Sequence, residues 1–157
     1  MTPSERELYL QFKSTPDVLP AIRGMLRGLC DRRGFTEEEI SHITLAVDEA
    51  LANIIRHGYR NRDDGPIWIS CGFTNTSENR LMIDIEDECP QVEPQSMAGR
   101  DLEDIRPGGL GVHLMREVMD LCEFNMRPKT GMRVRLEKVS KNHSPEKLHP
   151  HLHAGSP

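Results

Sequence analysis

Glu49 and Asn53 stand four apart in the run Asp48-Glu49-Ala50-Leu51-Ala52-Asn53. At ~100° per residue that spacing places a carboxylate and a carboxamide on one face of a helix. An ionised Glu accepts hydrogen bonds and can take a proton. An Asn carbonyl is a hard oxygen ligand suited to Mg²⁺, which usually binds few protein groups and completes its shell with substrate phosphates. Ala46 and Ala50 share this neighbourhood, and their small side chains would leave room for an approaching group. His57 continues the stripe and is read as a capping or packing residue at the helix end. Further on, Asp84, Glu86, Asp87 and Glu88 crowd the end of an apolar stretch. Such repulsion is relieved by a cation, by an amino-group donor such as that of adenine, or by solvation. A third segment, Gly108-Gly109-Leu110-Gly111-Val112, precedes an amphipathic run. Glycines admit close backbone approach, and a helix N-terminus offers unpaired N–H groups and partial positive charge to a phosphate. No Lys-Ser/Thr follows, which excludes a P-loop. The glycines follow a polar irregular stretch rather than a strand, which disfavours a dinucleotide fingerprint. Taken singly, each segment is equally at home as an exposed helix face, a solvated acidic run or a turn.

Positioning these residues requires a scaffold, and its elements are readable. Residues 7–13 alternate, with Leu8, Leu10 and Phe12 on one face, and predict a short strand. A first helix carries Val18, Ile22, Met25, Leu26 and Leu29, with Asp17 as its expected cap and Gly34 as its stop. Thr36-Glu37-Glu38-Glu39 is a capping box. It opens a long helix expected to end at Gly58, with Ile40, Ile43, Val47, Leu51 and Ile54 as the core stripe. Asn61–Pro66 is a turn cluster, and Ile67–Phe73 with Leu81–Ile85 reads as a hairpin. A long irregular segment, Cys89–Gly109, precedes a helix over about Val112–Leu121 and strands near Cys122–Met126 and Met132–Lys138. This order predicts helices on one face of a mixed, mostly antiparallel sheet.

Composition narrows the classes. The chain has 157 residues, a formal net charge of -5, 36% hydrophobic residues and only 4% aromatics. One domain with an aliphatic, Met-filled core is expected. The acidic balance argues against direct nucleic-acid or membrane-surface binding. No apolar run approaches the ~20 residues that span a bilayer. The N-terminus shows no basic region followed by an apolar one, so no secretory leader is expected. Cys30, Cys71, Cys89 and Cys122 are scattered without a C-x-x-C pair, consistent with reduced thiols in a cytosol. Residues 140–157 are polar, lack periodicity and carry His143, His149, His151 and His153. They are expected to be a disordered tail, and no metal site is assigned to them.

Together the three segments carry a resemblance. Glu49-Ala50-Leu51-Ala52-Asn53-Ile54-Ile55-Arg56-His57-Gly58-Tyr59 resembles the N box of the histidine-kinase-like (GHKL) ATPases. Asp87 resembles the Asp of the G1 box, and Gly109 to Met115 resembles the G2 box. The wording is most similar to the bacterial anti-sigma-factor serine kinases, and the resemblance spans about residues 7–138. It implies the α+β, two-layer Bergerat-type sandwich over residues 1–139, ATP and Mg²⁺ as cofactors, and catalysis by Glu49 as general base or orienter of the nucleophile. Asn53 would hold Mg²⁺ against the phosphates. Asp87 would accept from the adenine amino group. Gly109, Leu110, Gly111 and Val112 would line the nucleotide. The stretch from Cys89 to Pro107 would be the lid, with Arg106 or Arg100 reaching the γ-phosphate.

In function, the resemblance implies a cytoplasmic serine/threonine-protein kinase that is also an anti-sigma factor. Its expected partners are a small anti-anti-sigma protein as phosphoacceptor and a sigma factor, and a homodimer fits the same pattern. Two departures stand out. The G1 box usually reads Asp-x-Gly, whereas this chain has Asp87-Glu88-Cys89, and Met132 stands where the family often has Thr. They motivate an alternative: a non-catalytic partner-switch module with weak or absent nucleotide binding.

Overall fold

The computed structural model describes residues 7–74, 78–89 and 109–142. Five strands form one sheet in the order β1-β2-β3-β5-β4: β1 (Leu8–Lys13), β2 (Pro66–Phe73), β3 (Arg80–Asp87), β4 (Leu121–Met126) and β5 (Met132–Val139). Every pairing among the described residues is antiparallel, where the sequence suggests a mixed, mostly antiparallel sheet. The reason lies in the one crossover. Helix α3 (Gly109–Val118) leads from β3 to β4, and such a connection commonly sets two parallel strands side by side. Here β4 runs parallel to β3 but one place removed, and β5 fills the gap antiparallel to both.

Strand alternation divides the sheet into two chemistries. Ile67, Ile69 and Cys71 of β2, Leu81, Ile83 and Ile85 of β3, and Val134 and Leu136 of β5 are at most 4% exposed and join the helices in one core. Burying such an aliphatic side chain contributes about 1.5–3 kcal/mol. The opposite face is polar, and there Arg135 donates twice to Asp84, at 2.9 and 3.0 Å. Crowded acids in the sequence are therefore separated by the pleat. Asp84 and Glu86 project to the polar face beside arginines, Asp87 to the core face.

Helices α1 (Leu19–Arg32) and α2 (Glu37–Asn53) cover the core face, α1 through Ile22, Leu26 and Cys30, α2 through Ile40, Ile43, Val47 and Leu51. Asp17 does not cap α1. Pro16–Val18 forms a 3-10 turn ahead of it with no side-chain cap, and Pro20 near the helix start has no N–H to satisfy. Gly34 does end α1. At φ +78° it closes a Schellman turn, with Phe35 N–H on Cys30 O at 3.1 Å and Gly34 N–H on Asp31 O at 3.0 Å. The capping box forms as read: Glu39 N–H donates to Thr36 Oγ1 at 3.2 Å, and Thr36 N–H to Glu39 Oε2 at 2.8 Å.

Past the last strand the chain stays attached. Ser140 N–H bonds Asn79 O at 2.9 Å, and Lys141 N–H bonds Glu39 Oε1 at 2.8 Å. The tail expected from residue 140 is thus held to the domain at its start, and its histidine positions lie outside the described residues. No helix among the described residues is long and apolar enough to cross a membrane.

Candidate functional site

Glu49 and Asn53 occupy the last turns of α2, both half-buried. Among the described residues no hydrogen bond or ion pair engages either side chain. Ala46 and Ala50 are 0% and 2% exposed and belong to the core. The room expected beside Glu49 is therefore not theirs, because those alanines are spent on packing.

Directly after Asn53 the helix widens. Residues Ile54–Gly58 form a π turn, with Tyr59 N–H on Ile54 O at 2.8 Å. Such turns are rare and recur at functional sites. The helical run ends at Gly58, as the sequence suggests, though not through a left-handed glycine. Arg60 and Asn61 adopt positive φ, 54° and 60°, and turn the chain. Gly58 is small for another reason. A Cβ there would lie 2.3 Å from Cys89 Sγ. His57 is exposed on this turn.

Helix α3 brings the glycine segment to the same place. It begins at Gly109 rather than at Val112, so Gly109 and Gly111 lie within its first turn, where N–H groups lack intrahelical partners. A Cβ on Gly111 would fall 2.0 Å from Glu49 Oε1 and 2.4 Å from its Cδ. Only glycine lets the start of α3 pass over the Glu49 carboxylate. Leu110 points outward at 73% exposure, while Met115 and Met119, at 0% and 5%, anchor the helix in the core with Val112 packed beside them.

Asp87 closes β3 at 2% exposure. Its Oδ1 accepts from Cys89 N–H at 2.8 Å and Met132 N–H at 3.3 Å. Two segments converge around this residue. From the end of α2, Tyr59 OH donates to Pro66 O at 2.6 Å and accepts from Glu88 N–H at 2.9 Å. From the β4–β5 turn, Arg127 Nη1 donates to Asp87 O at 2.6 Å and Thr130 Oγ1 donates to Cys89 O at 3.3 Å. Gly131, at φ +86°, passes so close that a Cβ would meet Asp87 O at 1.9 Å. Burial pushes the Tyr59 phenol and the Cys89 thiol each up to about 12, the latter helped by the charge of Asp87. Both stay neutral, so Cys89 is no nucleophile.

Both departures from the family pattern now have a structural account. Cys89 has no positive φ, so its backbone needs no glycine, and Gly58 opposite makes space for its side chain. Met132 offers Asp87 its N–H instead of a hydroxyl. The structure therefore brings Glu49 against Gly111 and Asp87–Cys89 against Gly58, at two points along one helix end. Gly58 lies nine residues past Glu49, more than two turns along the same helical run. Arg100, Arg106 and most of the expected lid lie outside the described residues. Tyr59, Gly131 and Arg127 escaped notice as site residues. Tyr59 stood within the quoted N box, Gly131 carried only a turn signal, and Arg127 carried none.

Asn53 is the residue here that could hold a cation jointly with the phosphates of a ligand. Its carboxamide is half-buried and unengaged, and one hard oxygen ligand beside phosphate oxygens is the usual protein contribution to Mg²⁺. Among the described residues no group of three or more His, Cys, Asp or Glu stands ready to hold a metal without such help.

Comparison with known proteins gives a consistent result. The family model described as histidine kinase-like ATPase domain matches residues 12–138. The chain is 31% identical over 120 residues to the serine-protein kinase RsbW of Listeria monocytogenes serotype 4a, covering 73% of this chain and 76% of that protein. Against RsbW of Bacillus subtilis the identity is 29% over 140 residues, covering 83% and 84%. Among solved structures, the RsbU and RsbW domains of a Mycobacterium tuberculosis protein superpose with a TM-score of 0.62 at 17% identity. That match covers 85% of this chain and 32% of the longer one, and it bears on the fold alone.

Proposed function

The chain belongs to the histidine kinase-like ATPase domain family, and from that premise we propose that it is an ATP-dependent serine-protein kinase acting as an anti-sigma factor by partner switching. One observation carries the reading: Gly111 lets the start of α3 pack on Glu49, while Cys89, whose N–H holds Asp87 Oδ1, packs against Gly58 at the end of the same helical run. In this reading the adenine amino group donates to Asp87. The phosphates lie toward Gly109, Gly111 and the N–H groups of the first turn of α3, where the helix dipole favours negative charge. Leu110 and Val112 flank them, and Arg106 supplies positive charge to the γ-phosphate. Asn53 holds Mg²⁺, which neutralises phosphate charge when bound. A serine oxygen of the partner attacks the γ-phosphorus, the bond to the ADP oxygen breaks, and Glu49 accepts the serine proton or orients the hydroxyl.

The relatives are named serine-protein kinases, which supports a protein serine as acceptor; in this reading that serine belongs to a small anti-anti-sigma protein. A sigma factor is the second partner, held when the first is phosphorylated. The chain acts in the cytoplasm, without direct nucleic-acid or membrane contact, and as a homodimer. The departures at Cys89 and Met132 motivated a module without catalysis, and the backbone at both positions weakens that motive.

Calorimetry with millimolar Mg-ATP tests the binding half. Binding raises the unfolding temperature, because a ligand selective for the folded state stabilises it. Labelled ATP with a cognate anti-anti-sigma protein tests transfer. Heat without phosphoserine leaves only the binding module, and neither heat nor a melting shift removes the nucleotide from the account.

A further inference from the structure

We propose that Arg127 is a positioning residue for Asp87, holding the carboxylate in the orientation that distinguishes adenine from guanine; this rests on the nucleotide reading above. Arg127 lies in the turn between β4 and β5, and three groups of the β2–β3 pair hold it. Its Nη1 donates to Asp87 O at 2.6 Å, its Nε lies 3.5 Å from Glu86 Oε2, and its guanidinium stacks 5.0 Å from the centre of the Trp68 ring. Its own N–H closes the turn on Gly131 O at 3.0 Å. Gly131 in turn passes against Asp87 O, and the next residue, Met132, donates its N–H to Asp87 Oδ1. One side chain therefore ties the turn to the peptide of Asp87, and the far end of that turn aims the carboxylate.

The tie matters because Oδ1 is held by two backbone donors and by no side-chain hydroxyl. The 3.3 Å bond from Met132 is the longer of the two and depends on where the turn sits. With the turn released, Asp87 loses the Met132 N–H and is held by Cys89 alone, so the carboxylate loses its fixed direction. A group that reads the adenine amino hydrogen depends on that direction. Guanine offers a carbonyl oxygen at the corresponding position, so an ionised Asp87 repels it in either case. Charge-assisted bonds of this kind are among the stronger ones, and a planar, stacked guanidinium is not replaced in full by an ammonium.

The test measures ATP and GTP affinity by calorimetry, and kcat at saturating ATP, for the whole chain, Arg127→Ala, Arg127→Lys and Lys129→Ala. Arg127→Ala is expected to weaken ATP about tenfold, the loss of one charge-assisted bond, and to leave GTP unchanged. Its kcat at saturating ATP stays within about twofold of the parent, so the loss falls in KM. Arg127→Lys recovers part of the ATP affinity, and Lys129→Ala, which removes an exposed cation from the same turn, matches the parent. An unchanged ATP-to-GTP ratio in Arg127→Ala overturns the proposal, as does equal weakening of both nucleotides, which marks a merely structural tie. If the parent chain binds neither nucleotide, the nucleotide reading itself fails and takes this inference with it.

Discussion

The two ends of α2 each hold a glutamate, and they treat it in opposite ways. At the N-terminal end Glu39 is 2% exposed, and both carboxylate oxygens are engaged, by Thr36 N–H and Lys141 N–H. Burial acts to raise its pKa, but those backbone bonds, the Thr36 hydroxyl and the charge of Lys138 outweigh it and hold the carboxyl below the usual range. At the C-terminal end Glu49 has no described hydrogen-bond partner, and Gly111 lets the start of α3 pack against its carboxylate. The first acid is saturated by its own chain, so its charge serves cohesion: it ties the start of α2 to the last strand's exit. The second is held in place by a packed helix yet left with unused acceptor capacity, and that capacity is available to something outside the chain. Within one helix, saturation of the carboxylate separates an end whose acid is spent on the fold from an end whose acid has acceptor capacity left over.

Substitutions can break this division, and the largest effect is expected at Glu49. Glu49→Ala should lower phosphotransfer by roughly 10²–10⁴-fold, the usual worth of a general base. Nucleotide binding should persist, and unfolding free energy should move by no more than about 0.5 kcal/mol. A kinase assay beside a denaturant titration reads both, and normal transfer would remove Glu49 from catalysis. Glu39→Ala should do the reverse. It loses both a capping bond and the clasp on Lys141, for about 2 kcal/mol, while activity per folded molecule at saturating ATP is retained. A loss of activity without a loss of stability would erase the contrast between the ends.

Gly58→Ala sharpens the comparison by probing the contact that seats Asp87–Cys89 on α2. Overpacking against Cys89 Sγ should cost about 1–3 kcal/mol. Adding Cys89→Gly should recover most of it, and the coupling is read from a double-mutant cycle. Additive losses would mean that the two residues do not oppose each other. The smallest effect is the pH dependence. The folded pKa of Glu39 lies below its unfolded value near 4.3, so ionised Glu39 stabilises the fold fully above about pH 5. That contribution fades as pH falls through the folded pKa. Urea midpoints between neutral and acidic pH should show the fall, and Glu39→Gln should flatten that part of it.

Much of the fold was legible because local rules suffice for it. The capping box at Thr36–Glu39, the Gly34 stop and the apolar stripe of α2 depend on neighbours a few residues away. Asp17 does not cap α1 because prolines at 16 and 20 remove the need for a cap, and periodicity, which leaves the sheet mixed but mostly antiparallel, does not show which strand fills a gap. In the site, Glu49, Asn53, Asp87 and Gly111 carried signals of type and spacing. The roles of Ala46, Ala50 and Gly58 did not, since a small residue looks the same whether it makes room for a ligand, for core or for Cys89.

What the sequence determined by itself was the set of chemical groups and the elements that carry them: an acid and an amide four apart on a helix, an acid ending a strand, glycines opening a second helix. What only the tertiary structure decided was which of those groups remain available. Whether a carboxylate is consumed or free depends on donors far along the chain, as Lys141 is for Glu39 and Met132 for Asp87. Hydrogen bonds and steric exclusion act over a few ångströms of space whatever the separation in sequence, so that part of the outcome exists only once the chain has closed on itself.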